Sequence, residues 1–194
     1  MTTLDKDYWS QRWQEGQTGW DAGAATRPIT EYVDQLEDKE VKILIPGAGN
    51  AYEAEYLHRQ GFSNVTVVDI APEPLQNLRE RVPGFPEEHL VQTDFFELQG
   101  SYDRIIEQTF LSTFPPEMRN RYAEKMASLL RPGGALVGVL FEDELYKDHP
   151  PYGGYREDYR PHFTPYFDFK VFDRCHNSIP PRAERELWIH LVRK

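Results

Sequence analysis

The chain has 194 residues, 39% of them hydrophobic, and its 32 acidic against 22 basic side chains give a formal charge of −10. That length suits one domain able to enclose a core and a ligand cleft. The negative charge, with no Lys/Arg run, argues against nucleic acid and anionic bilayers as partners.

Cys175 is the single cysteine, so no internal disulfide can form and a reducing setting is expected. Met1–Gln14 is charged and aromatic and lacks an apolar signal region, and no stretch nears the roughly 20 apolar residues of a membrane span. We therefore expect a cytoplasmic protein, a monomer or weak homo-oligomer, with a small molecule as its partner. Residues 1–38 read as an N-terminal aromatic segment and 39–194 as a core, within one domain over 1–194.

Val41–Pro46 is a short apolar run stopped by Gly47, the mark of a buried strand. Ala51–Gln60 follows as a helix closed by Gly61. Asn64–Ile70 is a second strand, and Pro72 opens a helix running to Arg81. Leu90–Thr93 is a weak third strand and Tyr102–Glu107 a fourth. Pro115–Leu130 reads as a helix stopped by Pro132-Gly133-Gly134, and Ala135–Phe141 as the fifth strand. Glu142–Pro161, rich in Tyr, Gly and Pro, has the composition of a mobile cover. Phe169–His176 and Leu187–Val192 suit an antiparallel hairpin at one edge. The alternation predicts an α/β fold: a Rossmann-like, doubly wound, mixed seven-stranded sheet.

Ligands of open α/β sheets bind beyond the carboxyl ends of the strands, and three such ends carry suggestive residues. Gly47 and Gly49, in Ile45-Pro46-Gly47-Ala48-Gly49-Asn50-Ala51, allow close approach to the backbone. The third glycine of a dinucleotide loop is missing, and Glu53 brings an acid into the first helical turn, so a pyrophosphate is disfavoured there. A cofactor with an amino acid tail fits better. Asp69, 20 residues after Gly49, can accept both hydrogen bonds of a ribose diol; without Gly47 and Gly49 upstream it would read as a cap of the helix at Pro72. Asp94 can accept from an adenine amino group while Phe95 covers the ring.

With these residues in view, the sequence resembles the thiopurine and halide/thiol methyltransferase family, class I enzymes that use S-adenosyl-L-methionine. Trp9–Asp21, within YWSQRWQEGQTGWD, carries the likeness together with Ile45–Glu53 (IPGAGNAYE) and Glu107–Met126 (EQTFLSTFPPEMRNRYAEKM). Asp94-Phe95-Phe96, Arg131-Pro132-Gly133-Gly134 and His149-Pro150-Pro151-Tyr152 add to it. The resemblance implies that Trp9, Trp13 and Trp20 form a lid over the cofactor, and that Gly47, Asp69, Asp94, Phe95, Glu107 and Gln108 line its site. Many members have a glycine where this chain has Ala51. Glu107-Gln108-Thr109 is closer to the halide/thiol branch than to the thiopurine branch.

The mechanism expected is in-line displacement on a sulfonium methyl by a soft nucleophile, in which alignment and removal of water are the main contributions. Arg182, in Ser178–Arg182, and Tyr152 are candidates near the nucleophile, each equally readable as structural. Asp21 could orient substrate or act as a base, or cap the helix near Pro28. The six histidines are scattered without ligand spacing, so no metal site is expected, and a G-x-S-x-G elbow is missing. Two alternatives stay open: a cofactor-binding sensor without turnover, and a dehydrogenase.

Overall fold

A computed structural model describes residues 4–194. Its seven strands are β1 (Ile43–Pro46), β2 (Val65–Asp69), β3 (Leu90–Gln92), β4 (Tyr102–Gln108), β5 (Leu130–Phe141), β6 (Phe167–Arg174) and β7 (Glu186–Arg193). They form one sheet in the order β3-β2-β1-β4-β5-β7-β6. The first five run parallel, and β7 lies antiparallel between β5 and β6.

Both faces of the sheet are covered. In β1 the side chains alternate between two cores: Ile43 and Ile45 enter one, Leu44 the other. A strand buried on both sides has no polar face, which is why β1 reads as an unbroken apolar run. Helices α3 (Tyr52–Arg59) and α4 (Pro72–Arg81) follow β1 and β2, and α5 (Arg119–Leu129) precedes β5. β1 is flanked by β2 and β4, so the chain reverses its direction of travel across the sheet there, at the switch point where open α/β sheets bind ligands.

Two helices precede the sheet. In α1 (Lys6–Gln14) the Asp5 side chain accepts from the Tyr8 N–H at 3.0 Å. Ser10, 8% exposed, donates to Glu73 at 2.9 Å and Gln14 donates to the same carboxylate at 3.2 Å. These bonds seat α1 on the first turn of α4, above the end of β2. Helix α2 (Arg27–Val33) begins at Thr26, has Pro28 in its first turn, and buries Ile29 and Val33.

The structure departs from the sequence expectations in three places. Pro132-Gly133-Gly134 lies inside β5, which starts at Leu130 and pairs with β4 across a register shift. An irregular ladder accommodates a glycine pair that otherwise signals a turn. Residues Pro116–Met118 form a separate 3-10 turn ahead of α5, since proline suits a first turn but not a helix interior.

The third departure is a helix, α6 (Arg156–Phe163), within the supposed cover. Asp158 accepts from the Tyr155 N–H at 2.8 Å, closing the first turn, and Tyr159 and Phe163 are buried in the core. Two tertiary anchors hold this segment despite Pro161 within it. Its composition alone masked them.

Gly138 of β5 pairs with Glu107, and a Cβ there would lie 1.8 Å from the Glu107 carbonyl oxygen. Gly138→Ala must push two central strands apart, a cost of about 2–3 kcal/mol. Thermal denaturation should show a midpoint lowered by about 4–12 °C for a domain of this size.

Candidate active site

The turn after β1 is held in left-handed backbone: Gly47 has φ +63°, Gly49 φ +52° and Ala51 φ 54°. The Gly47 N–H donates to the Val68 carbonyl at 2.9 Å, tying the turn to the end of β2. A Cβ at Gly47 would lie 2.0 Å from the ring of Phe110, and one at Gly49 would lie 3.8 Å from the indole of Trp20. Aromatic side chains distant from each other in sequence thus cover this short loop. Ala51, 1% exposed, adopts the conformation a glycine takes readily, at a cost of about 1 kcal/mol.

Asp69 ends β2 and faces this turn. It accepts from the Ala71 N–H at 2.9 Å, and the Ala48 and Ile70 N–H groups stand near enough to favour its ionised form. Burial outweighs these donors and pushes its carboxyl up to about 7. The Ala71 bond shapes the entry to α4, while the Ala48 N–H faces the same carboxylate from the glycine turn, so the two readings of Asp69 are compatible. Asp94, after β3, is exposed and accepts from the Phe96 N–H at 2.8 Å.

Phe95 is 5% exposed. Its ring lies 5.3 Å from that of Phe110 and 5.8 Å from that of Tyr122, in a cluster with Phe96 and Phe114. Phe110 joins this cluster to the glycine turn, so the loops after β1, β3 and β4 meet on one ring.

The Glu107-Gln108 pair is divided by the pleat of β4, because successive side chains of a strand point to opposite faces. Glu107, fully buried, accepts from the Tyr122 hydroxyl and from the Leu111 N–H at 3.1 Å. Desolvation raises its carboxyl to about 7. It anchors the turn carrying Phe110. Gln108 looks the other way: its Oε1 accepts from Thr26 Oγ1 at 2.7 Å, and its buried Nε2 has no partner. A buried donor with no protein partner is a group available to bond a ligand.

The N-terminal tryptophans meet as edge-to-face pairs, Trp9 with Trp20 at 5.9 Å and Trp13 with Trp20 at 5.6 Å. The spacing of four places Trp9 and Trp13 on one face of α1, as expected. Asp21 accepts from the Gly23 N–H at 2.7 Å and from Asn50 of the glycine turn, while Thr26 takes the start of α2. Tyr152 is 8% exposed, and its N–H donates to the Ser112 carbonyl at 2.7 Å. Arg182 is 9% exposed and donates to the Trp20 carbonyl at 2.7 Å. Among the described residues, no three His, Cys, Asp or Glu side chains are grouped as a metal ion requires.

Ser10, Thr26, Glu53, Glu73 and Phe110 complete the site and were not singled out from sequence as its residues, apart from Glu53 as a first-turn acid. Glu53 is 7% exposed, accepts from the Thr26 N–H at 3.2 Å, and has its carboxyl raised by burial. It bonds the N-terminal segment, not the mouth of its own helix. Glu73 carried a signal, a second acid beside Asp69 at the start of α4. Phe110 carried none, because nothing in a sequence distinguishes a phenylalanine over a glycine turn from one in a core.

Unfolded carboxylates ionise near pH 4, whereas Asp69 and Glu107 hold their protons until about pH 7 in the fold. The native state therefore binds more protons across that interval, and its stability falls as pH rises through it. Denaturant unfolding should give a stability at pH 7.5 lower than at pH 5.5 by about 4 kcal/mol, about 2 kcal/mol from each group. Glu107→Gln should make that decline shallower.

A family model described as thiopurine S-methyltransferase matches residues 4–189. Probable thiol methyltransferase 2 of Arabidopsis thaliana is 28% identical over 149 residues, 74% of this chain and 66% of the relative. Thiocyanate methyltransferase 1 of Brassica oleracea is 28% identical over 156 residues, 77% and 68% of the two chains. The chain thus matches about two thirds of the length of these plant relatives. A thiopurine S-methyltransferase of Photobacterium profundum is 20% identical, over 94% of this chain and 89% of its own.

Among solved structures, the 1,6-didemethyltoxoflavin-N1-methyltransferase of Burkholderia thailandensis, with its substrate and S-adenosylhomocysteine bound, has a TM-score of 0.78 at 20% identity and 97% and 87% coverage. The magnesium protoporphyrin IX methyltransferase of Synechocystis PCC 6803 with S-adenosylhomocysteine gives 0.72 at 16% identity and 97% and 98% coverage. These two likenesses establish the fold, a Rossmann-like methyltransferase sheet, and the family match over nearly all of its length means that the chain belongs to the thiopurine S-methyltransferase family.

Proposed function

We propose that the protein is an S-adenosyl-L-methionine-dependent methyltransferase acting on a small soft nucleophile: a thiol, a thiopurine-like sulfur or a halide. One observation carries the reading. At the carboxyl ends of adjacent strands the fold sets a left-handed glycine turn, the Asp69 carboxylate, and the buried Gln108 Nε2 without a partner. This set suits a nucleoside with an amino acid tail: acceptors for a diol, backbone amides at the turn for a carboxylate, and a side-chain donor aimed inward. Family membership and the bound ligands of the structural neighbours point the same way.

When bound, that cofactor supplies an electrophilic methyl on a cationic sulfur, which a nucleophile attacks in line while the sulfur keeps the C–S electron pair. The chain's own residues do the rest. Asp69 accepts from the ribose hydroxyls, and Asp94 accepts from the base at the β3 end. The backbone of the Gly47–Gly49 turn faces the tail, and Gln108 donates to it. Asp69, Asp94 and Glu73, on a chain of charge −10, favour arrival of a cation. Trp9, Trp13 and Trp20 screen the site from water, which raises the reactivity of an anionic nucleophile. Tyr152 walls the acceptor side, and Asp21 holds the tryptophan segment to Asn50.

Methyl transfer from labelled cofactor to thiols, iodide, thiocyanate and thiopurines is the direct test, with methylation of at least one sulfur or halide acceptor expected. Cofactor binding without transfer to any of them would replace the enzyme with a cofactor-binding module, and stabilisation by NAD instead would point to a dehydrogenase.

The carboxyl raised to about 7 sets the pH dependence of cofactor binding. Ionised Asp69 accepts both ribose hydroxyls, whereas the protonated group can accept fewer bonds, so affinity should tighten as pH rises through 7. Calorimetric titration with S-adenosylhomocysteine at pH 6 and 8 should show this. Asp69→Asn should weaken binding by about tenfold or more and remove the dependence.

A further inference from the structure

We propose that Arg182 is a positioning residue that latches the N-terminal tryptophan segment onto the sheet, and so sets cofactor affinity without touching the methyl acceptor. The proposal rests on the reading of the site given above.

Arg182 belongs to the 3-10 turn Pro180–Arg182, just ahead of β7. Its guanidinium is committed on several sides. One nitrogen donates to the Trp20 carbonyl at 2.7 Å. Another approaches Glu186 at 3.4 Å, and Glu186 is 2% exposed. The guanidinium carbon stands 5.4 Å from the centre of the Phe141 ring, at the end of β5. Glu53 is near enough for Arg182 to favour its ionised form. With 9% of its surface exposed, the side chain is packed among these partners.

The partner at 2.7 Å is a main-chain carbonyl, 162 residues away in sequence. Bonding there fixes the path of the backbone where Trp20 projects over Gly49 and meets Trp9 and Trp13. The neighbouring ties at this segment are Asp21 with Asn50, Thr26 with Glu53 and Thr26 with Gln108. The first lies on an exposed side chain and the others lie beyond the turn at Gly23. Arg182 is the bond from a buried cation to the tryptophan's own backbone. A charged hydrogen bond of this kind is stronger than a neutral one, and guanidinium geometry lets one side chain reach both the carbonyl and Glu186.

The test measures S-adenosylhomocysteine affinity by calorimetry, steady-state constants for both substrates, and hydrogen exchange of residues 4–26. Variants are Arg182→Lys, Arg182→Met and the double variant Arg182→Met with Glu186→Gln, the last avoiding an uncompensated buried carboxylate. Arg182→Met and the double variant should weaken cofactor binding and raise its KM about tenfold or more. The KM of the acceptor should stay within about twofold, and amides around Trp20 should exchange faster. Lysine should rescue partly, since it can keep a bond to the carbonyl. A raised acceptor KM with unchanged cofactor affinity would overturn the proposal and make Arg182 a substrate contact. Unchanged exchange around Trp20 in a folded double variant would overturn it too. Failure of the unmodified protein to bind S-adenosylhomocysteine would instead sink the functional reading itself.

Discussion

A missing Cβ at Gly47 governs how the site is assembled. Phe110 lies so close that any side chain at 47 would overlap its ring, and Phe110 in turn contacts Phe95 and Phe114. Through that one contact the loops after β1, β3 and β4 share a boundary. The turn must also reverse the chain from β1 into α3 within a few residues, which the left-handed conformations at 47, 49 and 51 accomplish. Ala51 takes the same backbone at a small cost, and its buried methyl packs with the core around α3. The family's usual glycine is therefore dispensable there in a way that Gly47 is not.

Around this turn the polar groups separate into two sets with different duties. Glu107, Tyr122 and the Leu111 N–H form a closed buried network that fixes the turn bearing Phe110. Asp69 and Gln108 keep unused capacity toward the strand ends, Asp69 through its remaining lone pairs and Gln108 through Nε2. A network with every member satisfied rigidifies its surroundings, whereas one with unpaired members tends to mark a functional place. The pleat of β4 makes the division possible, because residues adjacent in sequence serve the core and the site separately.

The parallel sheet was legible because its strands are buried on both faces and its helices begin and end with strong punctuation, Pro72 and Gly61 among them. The strand ends were legible for a related reason: Gly47 and Asp69 follow directly on apolar runs, and Asp94 closes a shorter, weaker one. What escaped was set by long-range contacts. Glu107 and Gln108 read as one pair, yet β4 sends them to opposite faces. The Glu142–Pro161 segment has a loop's composition, but Tyr159 and Phe163 reach the core and make part of it helical. Arg182 could be placed near the site only by its resemblance to a late arginine of the family, while its partner, a carbonyl 162 residues distant, left no trace in composition or spacing.

The N-terminal segment shows why such contacts matter for a ligand site. Helix α1 is short, mostly polar and only partly buried, so its own propensity cannot hold it over the strand ends; an isolated helix of this length is marginal in water. Its place comes from the Ser10 and Gln14 bonds to Glu73 and, six residues past its last turn, from the Trp20 backbone held by Arg182. A cover secured by a few polar bonds can open without unfolding the core, since the buried clusters on the two faces of the sheet contain no residue of α1. The sheet therefore supplies a rigid set of strand ends, and a separately fastened aromatic segment lies against the glycine turn beside them.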